Sequence, residues 1–119
     1  MPKGKFKTES LTVTSTSADA NSDLIYTVPN NYSASVKFLH LGNGTASTKK
    51  AYIQIYIADD TSYYYLCNGL SMTANTRDEL IEGGELFLNE GDQVRAFIES
   101  GMTLDVTVSV EEYYDPNRS

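Results

Sequence analysis

Apolar side chains recur at every second position along most of the chain. In Tyr52-Ile53-Gln54-Ile55-Tyr56-Ile57 the isoleucines share one face, while Tyr52, Gln54 and Tyr56 share the other. From Leu104 to Glu111 the alternation sets Leu104, Val106, Val108 and Val110 against Asp105, Thr107, Ser109 and Glu111. A period of two with one apolar and one polar side is that of an antiparallel strand packed on one face and wet on the other. Val94, Ala96 and Ile98 repeat the pattern, as do Leu11 with Val13, and Ala34 with Val36 and Phe38. Leu39 and Leu41 then fall out of phase with Phe38, which fits either a bulge or burial on both faces.

Turn-forming residues separate these runs: Pro29-Asn30-Asn31, Gly42-Asn43-Gly44, Asp59-Asp60, Asn68-Gly69, Gly83-Gly84, Asn89-Glu90-Gly91-Asp92 and Ser100-Gly101. The pattern predicts strands near 8–16, 23–28, 33–42, 50–58, 62–68, 78–88 (in one piece or two), 93–100 and 103–113. Seven or eight short strands at this spacing predict an all-β fold, a single antiparallel β-sandwich, with jelly roll the preferred topology. No segment carries a helical stripe. The stretch from Met72 to Leu80 is rich in Ser, Thr and Asn and reads as an exposed loop with room for one helical turn. The predicted core spans about 8–113, between a basic N-terminal arm, 1–7, and a C-terminal tail, 114–119, where Pro116 stops strand pairing.

A chain of 119 residues is one domain. Surface scaling gives roughly 6,400 Å² exposed when folded against about 19,000 Å² for the extended chain, enough burial for a core without disulfides or metals. The formal net charge of −7 offers no counterion release on a phosphate backbone, so nucleic acid is not an expected partner. Cys67 is the single cysteine, which excludes an intrachain disulfide and reads as a small buried hydrophobe in a chain made in a reducing cytosol. The basic start is followed by no apolar run, so neither a signal peptide nor a membrane helix is expected.

Catalytic equipment is sparse. His40 is the only histidine, it falls on the Ala34–Phe38 alternation, and it stands 27 positions from Cys67. Nucleophilic catalysis needs a nucleophile, a base and an orienting group together, which one His and one Cys on separate strands do not supply. Zinc lacks ligands. Asp59-Asp60 and the acids Glu82, Glu85, Glu90 and Asp92 do not alternate as a calcium loop requires, and read as solvated turns. With 16 acidic residues some carboxylate pair meets glycosidase spacing by chance, so that signal carries no weight. Gly42-Asn43-Gly44 opens no helix and is no phosphate loop. Neither enzymatic activity nor a cofactor is expected.

The more informative cluster is Tyr63, Tyr64 and Tyr65 with Tyr52 and Tyr56. Alternation turns Tyr63 and Tyr65 one way and Tyr64 the other, and a hairpin of 50–58 with 62–68 would set tyrosines side by side. Tyrosine is a strong strand former, and its large, stiff, amphipathic surface also suits contact patches or stacking on sugars. The candidate interface comprises Lys3, Lys5 and Lys7 of the basic arm, Tyr52, Tyr56, Tyr63, Tyr64 and Tyr65, and Tyr113 and Tyr114 of the C-terminal end. A basic arm on an acidic body can lie across the surface of a neighbouring copy.

Leu24-Ile25-Tyr26-Thr27-Val28-Pro29 followed by Val36 to Thr45 resembles small β-sandwich virion proteins of tailed bacteriophages. Glu85-Leu86-Phe87-Leu88, Glu90-Gly91-Asp92-Gln93-Val94-Arg95-Ala96 and Leu104 to Val110 extend the resemblance over roughly residues 20–112. It implies a multi-copy, non-enzymatic virion component that contacts other copies of itself and major capsid or tail proteins. Capsid decoration (cement) is the first role implied, with a tail, neck or fibre position as the alternative, and a carbohydrate-binding module using the tyrosines is the reading from another class. The resemblance brings no catalytic residues, and the segment from Tyr63 to Leu80 lies outside its motifs.

Overall fold

The computed structural model describes residues 4–114, with the backbone alone over 82–85. Eight strands follow in order: β1 (Lys5–Val13), β2 (Asp23–Thr27), β3 (Tyr32–Asn43), β4 (Lys49–Ile57), β5 (Ser62–Met72), β6 (Arg77–Leu88), β7 (Gln93–Ile98) and β8 (Leu104–Tyr114). A short 3₁₀ turn, Asp19–Asn21, precedes β2. The strands make two antiparallel four-stranded sheets, β1-β8-β3-β6 and β2-β7-β4-β5, packed face to face as the all-β sandwich that the alternation predicts. Only β4 and β5 form a hairpin within one sheet; every other connection crosses between the sheets. No helix among the described residues is long and apolar enough to cross a membrane.

The central strands supply the core. Val36, Leu39 and Leu41 of β3 and Leu104, Val106, Val108 and Val110 of β8 meet Ala51, Ile53 and Ile55 of β4 and Val94, Ala96 and Ile98 of β7. Each fully buried aliphatic side chain contributes about 1.5–3 kcal/mol of transfer free energy, so these four strands dominate the driving force. The exposed area of 6400 Å² equals what scaling gives for a monomer of this mass.

The change of phase in β3 is a bulge. Val36 pairs with Val110 and Phe38 with Ser109, so Lys37 is an extra residue on β3. Ala34 and Val36 face inward before it, and Leu39 and Leu41 after it. Phe38, which the alternation places inward, therefore turns outward and stacks on His40 at 5.6 Å with the rings 18° apart.

Gly83-Gly84 is not a turn. β6 runs through it as one strand, and the pair falls where the partners of Val36 and Phe38 step from Leu86 to Glu82. Glycine's freedom suits a bulge as well as a turn, and the sequence alone does not separate the two. The ends also differ from expectation. β1 begins at Lys5 rather than near residue 8, and β8 runs through Tyr114, so Lys5, Lys7 and Tyr114 lie in strands rather than in arms. The cause is mutual: β1 and β8 pair from Lys5↔Glu112 to Val13↔Leu104 and supply each other's backbone partners. β1 stops at Val13, short of 16, because the Asp23 carboxylate accepts the amides of Thr14 (2.7 Å) and Ser15 (3.0 Å) and turns the chain. Lys3 and residues 115–119, Pro116 among them, lie outside the described residues.

Candidate functional site

The β4–β5 hairpin brings the tyrosines together as the alternation predicts. Tyr56 pairs with Tyr63 and Gln54 with Tyr65 on the outer face, whereas Tyr64 pairs with Ile55 on the other side of the strand. Two bulges on β5, at Leu66 and Gly69, adjust its path; Gly69 takes φ +83°, which a residue without Cβ adopts freely. Tyr56 and Tyr63 lie 4.8 Å apart between ring centroids. Tyr52 stacks on Phe97 of β7 at 4.4 Å, and the edge of Tyr65 meets Phe97 at 6.2 Å. Phe97 belongs to this cluster although its place outside the Val94–Ile98 alternation gives it no distinct mark in the sequence. Tyr64 donates to Asp60 Oδ2 at 3.0 Å, and this bond to the carboxylate raises the phenol's pKa.

The aromatic face is not one platform. The 3₁₀ turn lies across its middle, where the Asp19 amide donates to Gln54 Oε1 and Gln54 Nε2 donates to Asp19 Oδ1, both at 2.8 Å. Arg95 reaches the same segment, donating to Ser22 Oγ (2.9 Å) and to the Ser22 carbonyl (2.6 Å). Gln54 and Arg95 occupy, with Tyr65, the row between Tyr52–Phe97 and Tyr56–Tyr63, so the cover separates the two ring groups over β4 and β7 and leaves Tyr65 of that row open at the β5 edge. Only Tyr65 on this face keeps a large exposed area, beside Tyr64 and Leu66 at the β5 edge.

The remaining candidate residues lie elsewhere. Lys5 and Lys7 are exposed on β1, at the lateral edge of the sandwich away from β6. Lys7 makes an ion pair with Glu9 (3.3 Å), and its Nζ lies 6.0 Å from the centroid of the Tyr26 ring. Tyr113 sits outward at the end of β8, and Tyr114 packs edge-on against Tyr32 at 5.3 Å. Exposed apolar residues mark the edges more than the faces. Phe6 and Leu11 lie on β1, Leu24 on β2, Tyr64, Tyr65 and Leu66 on β5, and Phe87 on β6; of the large exposed hydrophobics described, Tyr114 alone is not on an edge strand.

Three buried polar side chains tie the molecule together, two at loops and one between the sheets, and Asp92, which reads as part of a solvated turn, is one of them. Asp92 is 3 % exposed and accepts the amides of Ala58 (2.9 Å) and Asn89 (2.8 Å), tying the β4–β5 turn to the β6–β7 turn. Asn43 donates to the carbonyls of Met72 (3.1 Å) and Thr73 (3.2 Å) and accepts the amide of Thr45 (2.9 Å). Glu112 faces the core at the end of the Leu104–Val110 row and accepts the hydroxyl of Tyr26, which spans from the opposite sheet. Burial and then the Glu112 carboxylate raise the Tyr26 pKa far above its ordinary value.

His40 lies on the outer face of one sheet, its Nδ1 3.6 Å from Glu79 Oε1, while Cys67 lies on β5 of the other, so the two do not meet. The Cys67 thiol is half-buried against the core, 3.8 Å from the Ala51 carbonyl, and burial raises its pKa. Glu90 accepts the Asn31 amide and Asp92 is held by its two amides, while the side chains of Glu82 and Glu85 lie outside the described set. No metal-binding group of three ligands occurs among the described residues. An open depression of about 410 Å³ is lined by Gly42, Asn43, Gly44, Asn75, Thr76, Arg77 and Asp105. Compared with protein-family models, with curated proteins and with solved structures, the chain matches none.

Proposed function

We propose that this chain is a non-enzymatic structural protein that works by protein–protein contact, a virion component of a tailed bacteriophage. Capsid decoration is the role favoured, and a tail, neck or fibre position is the alternative. The observation that carries the contact reading is the concentration of exposed aromatic and aliphatic side chains on unpaired edge strands, above all Tyr64, Tyr65 and Leu66 of β5. Soluble sandwiches usually protect such edges with charge, and large stiff rings left there suit a partner surface. The virion context rests on the sequence motifs from Leu24 to Val110. The strand orders β1-β8-β3-β6 and β2-β7-β4-β5, with almost every connection crossing between sheets, support a jelly-roll reading of the sandwich. The sugar-binding reading loses support because the 3₁₀ turn covers the middle row at Gln54 and leaves only Tyr65 of that row open for stacking.

The test is to measure the copy number of the chain in gradient-purified particles of the phage that encodes it. The expected result is a fixed stoichiometry relative to the major capsid or tail protein, lowered by Tyr65→Asp with Leu66→Asp. Absence from purified particles would reject the proposal, and binding on a glycan array that Tyr65→Ala abolishes would favour the sugar reading instead.

A further inference from the structure

We infer that copies of this chain join edge to edge in head-to-tail fashion, with β1 of one copy pairing antiparallel to β6 of the next and so continuing the β1-β8-β3-β6 sheet. The inference rests on the docking reading above and names the surface and the partner. Each neighbouring pair in this sheet is antiparallel, so with four strands its two edges, β1 and β6, run in opposite directions. A second copy placed alongside in the same orientation therefore offers β6 an antiparallel partner.

The side chains set the register. Phe6 and Phe87 are the two most exposed large hydrophobic residues described, at 72 % and 69 %. They stand on opposite edges, yet in one row: Phe6 pairs with Glu111, Glu111 with Ser35, and Ser35 with Phe87. Directly paired residues share a face, so both rings point outward on the same side of the sheet. Extending the row into the next copy places Phe6 beside Phe87 as a cross-strand aromatic pair, the contact that gives each of these otherwise solvated rings a partner. Two residues further along, Thr8 meets the row of Glu82, and then Ser10 that of Glu79.

Charge and regularity fit the same pairing. β1 carries Lys5 and Lys7 against Glu9, whereas β6 carries Arg77 against Asp78, Glu79, Glu82 and Glu85. In this register the rows of Lys5 and Lys7 end at Leu88 and Leu86, so no lysine meets a carboxylate directly; the opposite net signs of the two strands favour the mixed contact over like edges only at longer range, in a chain whose net charge of −7 keeps unmatched surfaces apart. β1 is also the one edge strand whose pairing shows no register shift, while β2, β5 and β6 all carry bulges. The β6 bulge over 83–85 confines close pairing to the Phe87 end. The contact is heterologous, and with sheet twist of about 20–25° per strand it generates a ring or a helical array rather than a closed pair.

Sedimentation velocity on the full chain tests this, across a concentration series reaching the millimolar range. Wild type is expected to associate beyond a dimer, and Phe6→Asp and Phe87→Asp each to weaken association at least tenfold. Mixing the two variants is the decisive step. A Phe6→Asp copy keeps its β6 edge and a Phe87→Asp copy keeps its β1 edge, so the mixture should form a mixed dimer and nothing larger. Both positions are exposed, and unchanged circular dichroism would show that each variant folds. A wild-type chain that stays monomeric would overturn the inference, as would dimerisation of Phe87→Asp by itself, which marks a two-fold contact between β1 edges. A monomeric chain that is nevertheless stoichiometric on particles removes the pairing and leaves the docking reading. A self-assembling chain absent from particles does the reverse.

Discussion

Asp92 offers the sharpest test of how the sandwich ends are held. Its carboxylate is buried and uses both oxygens, Oδ1 for the amide of Ala58 and Oδ2 for that of Asn89. The backbone of the same residue makes separate bonds: its amide donates to the Asn89 carbonyl and its carbonyl accepts the Val28 amide, both at 3.0 Å. A side-chain substitution therefore removes two bonds and leaves the turn's own ladder in place. Hydrogen bonds to a charged group contribute about 1.5–3 kcal/mol each, and both donors here are only partly buried, so Asp92→Ala should cost about 3 kcal/mol.

Asp92→Asn separates this account from a purely steric one. The amide has the same shape, but one of its two atoms donates. It can accept from either Ala58 or Asn89, and its NH₂ then confronts the other N–H. The expected cost is about 2 kcal/mol, from one lost bond and one buried donor left facing another. Urea or guanidinium denaturation with the slope held in common reads both values, and the thermal midpoint should fall by about 4 °C per kcal/mol for a domain of this size. An Asp92→Asn variant within 0.5 kcal/mol of wild type would refute the reasoning.

Three further substitutions test particular positions. The phenol of Tyr26 has a folded pKa raised above its ordinary 10.0, so the unfolded chain releases that proton first; the stability is complete below pH 10 and declines as pH rises above it. Tyr26→Phe should be less stable at neutral pH by about 1.5–3 kcal/mol, through loss of the bond to the Glu112 carboxylate. Its pH–stability curve should also lack a slope of up to about 1.4 kcal/mol per pH unit above pH 10, and an unchanged alkaline slope would contradict the assignment. Gly91 has φ +84° and an added Cβ would lie 3.2 Å from the Ala58 Cβ, so Gly91→Ala should destabilise by about 1–3 kcal/mol. Gly42→Ala, whose Cβ would meet only the Asp105 carbonyl at 3.9 Å, should instead stay within about 0.5 kcal/mol of wild type by thermal denaturation.

The fold was legible wherever a strand has one wet face and one packed face. β4, β7 and β8 are central strands of that kind, and their alternation marks them within a few residues of their observed ends. β1 is different. Of its residues only Val13 is buried, and the strand is held by its ladder to β8 and by hydroxyl contacts such as Thr8 with Ser109 and Ser10 with Thr107, both at 3.1 Å. A strand made by backbone pairing at an edge leaves no apolar rhythm, and so its first residues read as a loose arm. The candidate site divides the same way. The tyrosine hairpin follows from alternation, because cross-strand pairing is local. The cover by Asp19–Asn21 and the stacking of Phe97 depend on a connection folding back over a sheet, which no local pattern encodes. The burial of Asp92, Asn43 and Glu112 is missed for a third reason: a buried polar residue that satisfies a loop amide or a cross-sheet hydroxyl has the same composition signal as an exposed one.

Edge protection in this sandwich is uneven, and the unevenness has a direction. β2 is short and bulged at Ile25, β5 is bulged at Leu66 and Gly69, and β6 is irregular over 83–85 and again at Leu80. Each irregularity breaks the row of free amides and carbonyls that another strand would need. β1 keeps an unbroken register with β8 over nine residues, and so presents the longest regular template among the described edge strands. What guards it is charge, since Lys5 and Lys7 outweigh Glu9 and disfavour a second basic strand more than an acidic one. Bulges exclude partners without regard to identity, whereas charge selects among them. A sandwich with β2 and β5 closed by geometry, β6 open only at its Phe87 end and β1 filtered by charge can remain dispersed at a net charge of −7 and still pair in a single sense.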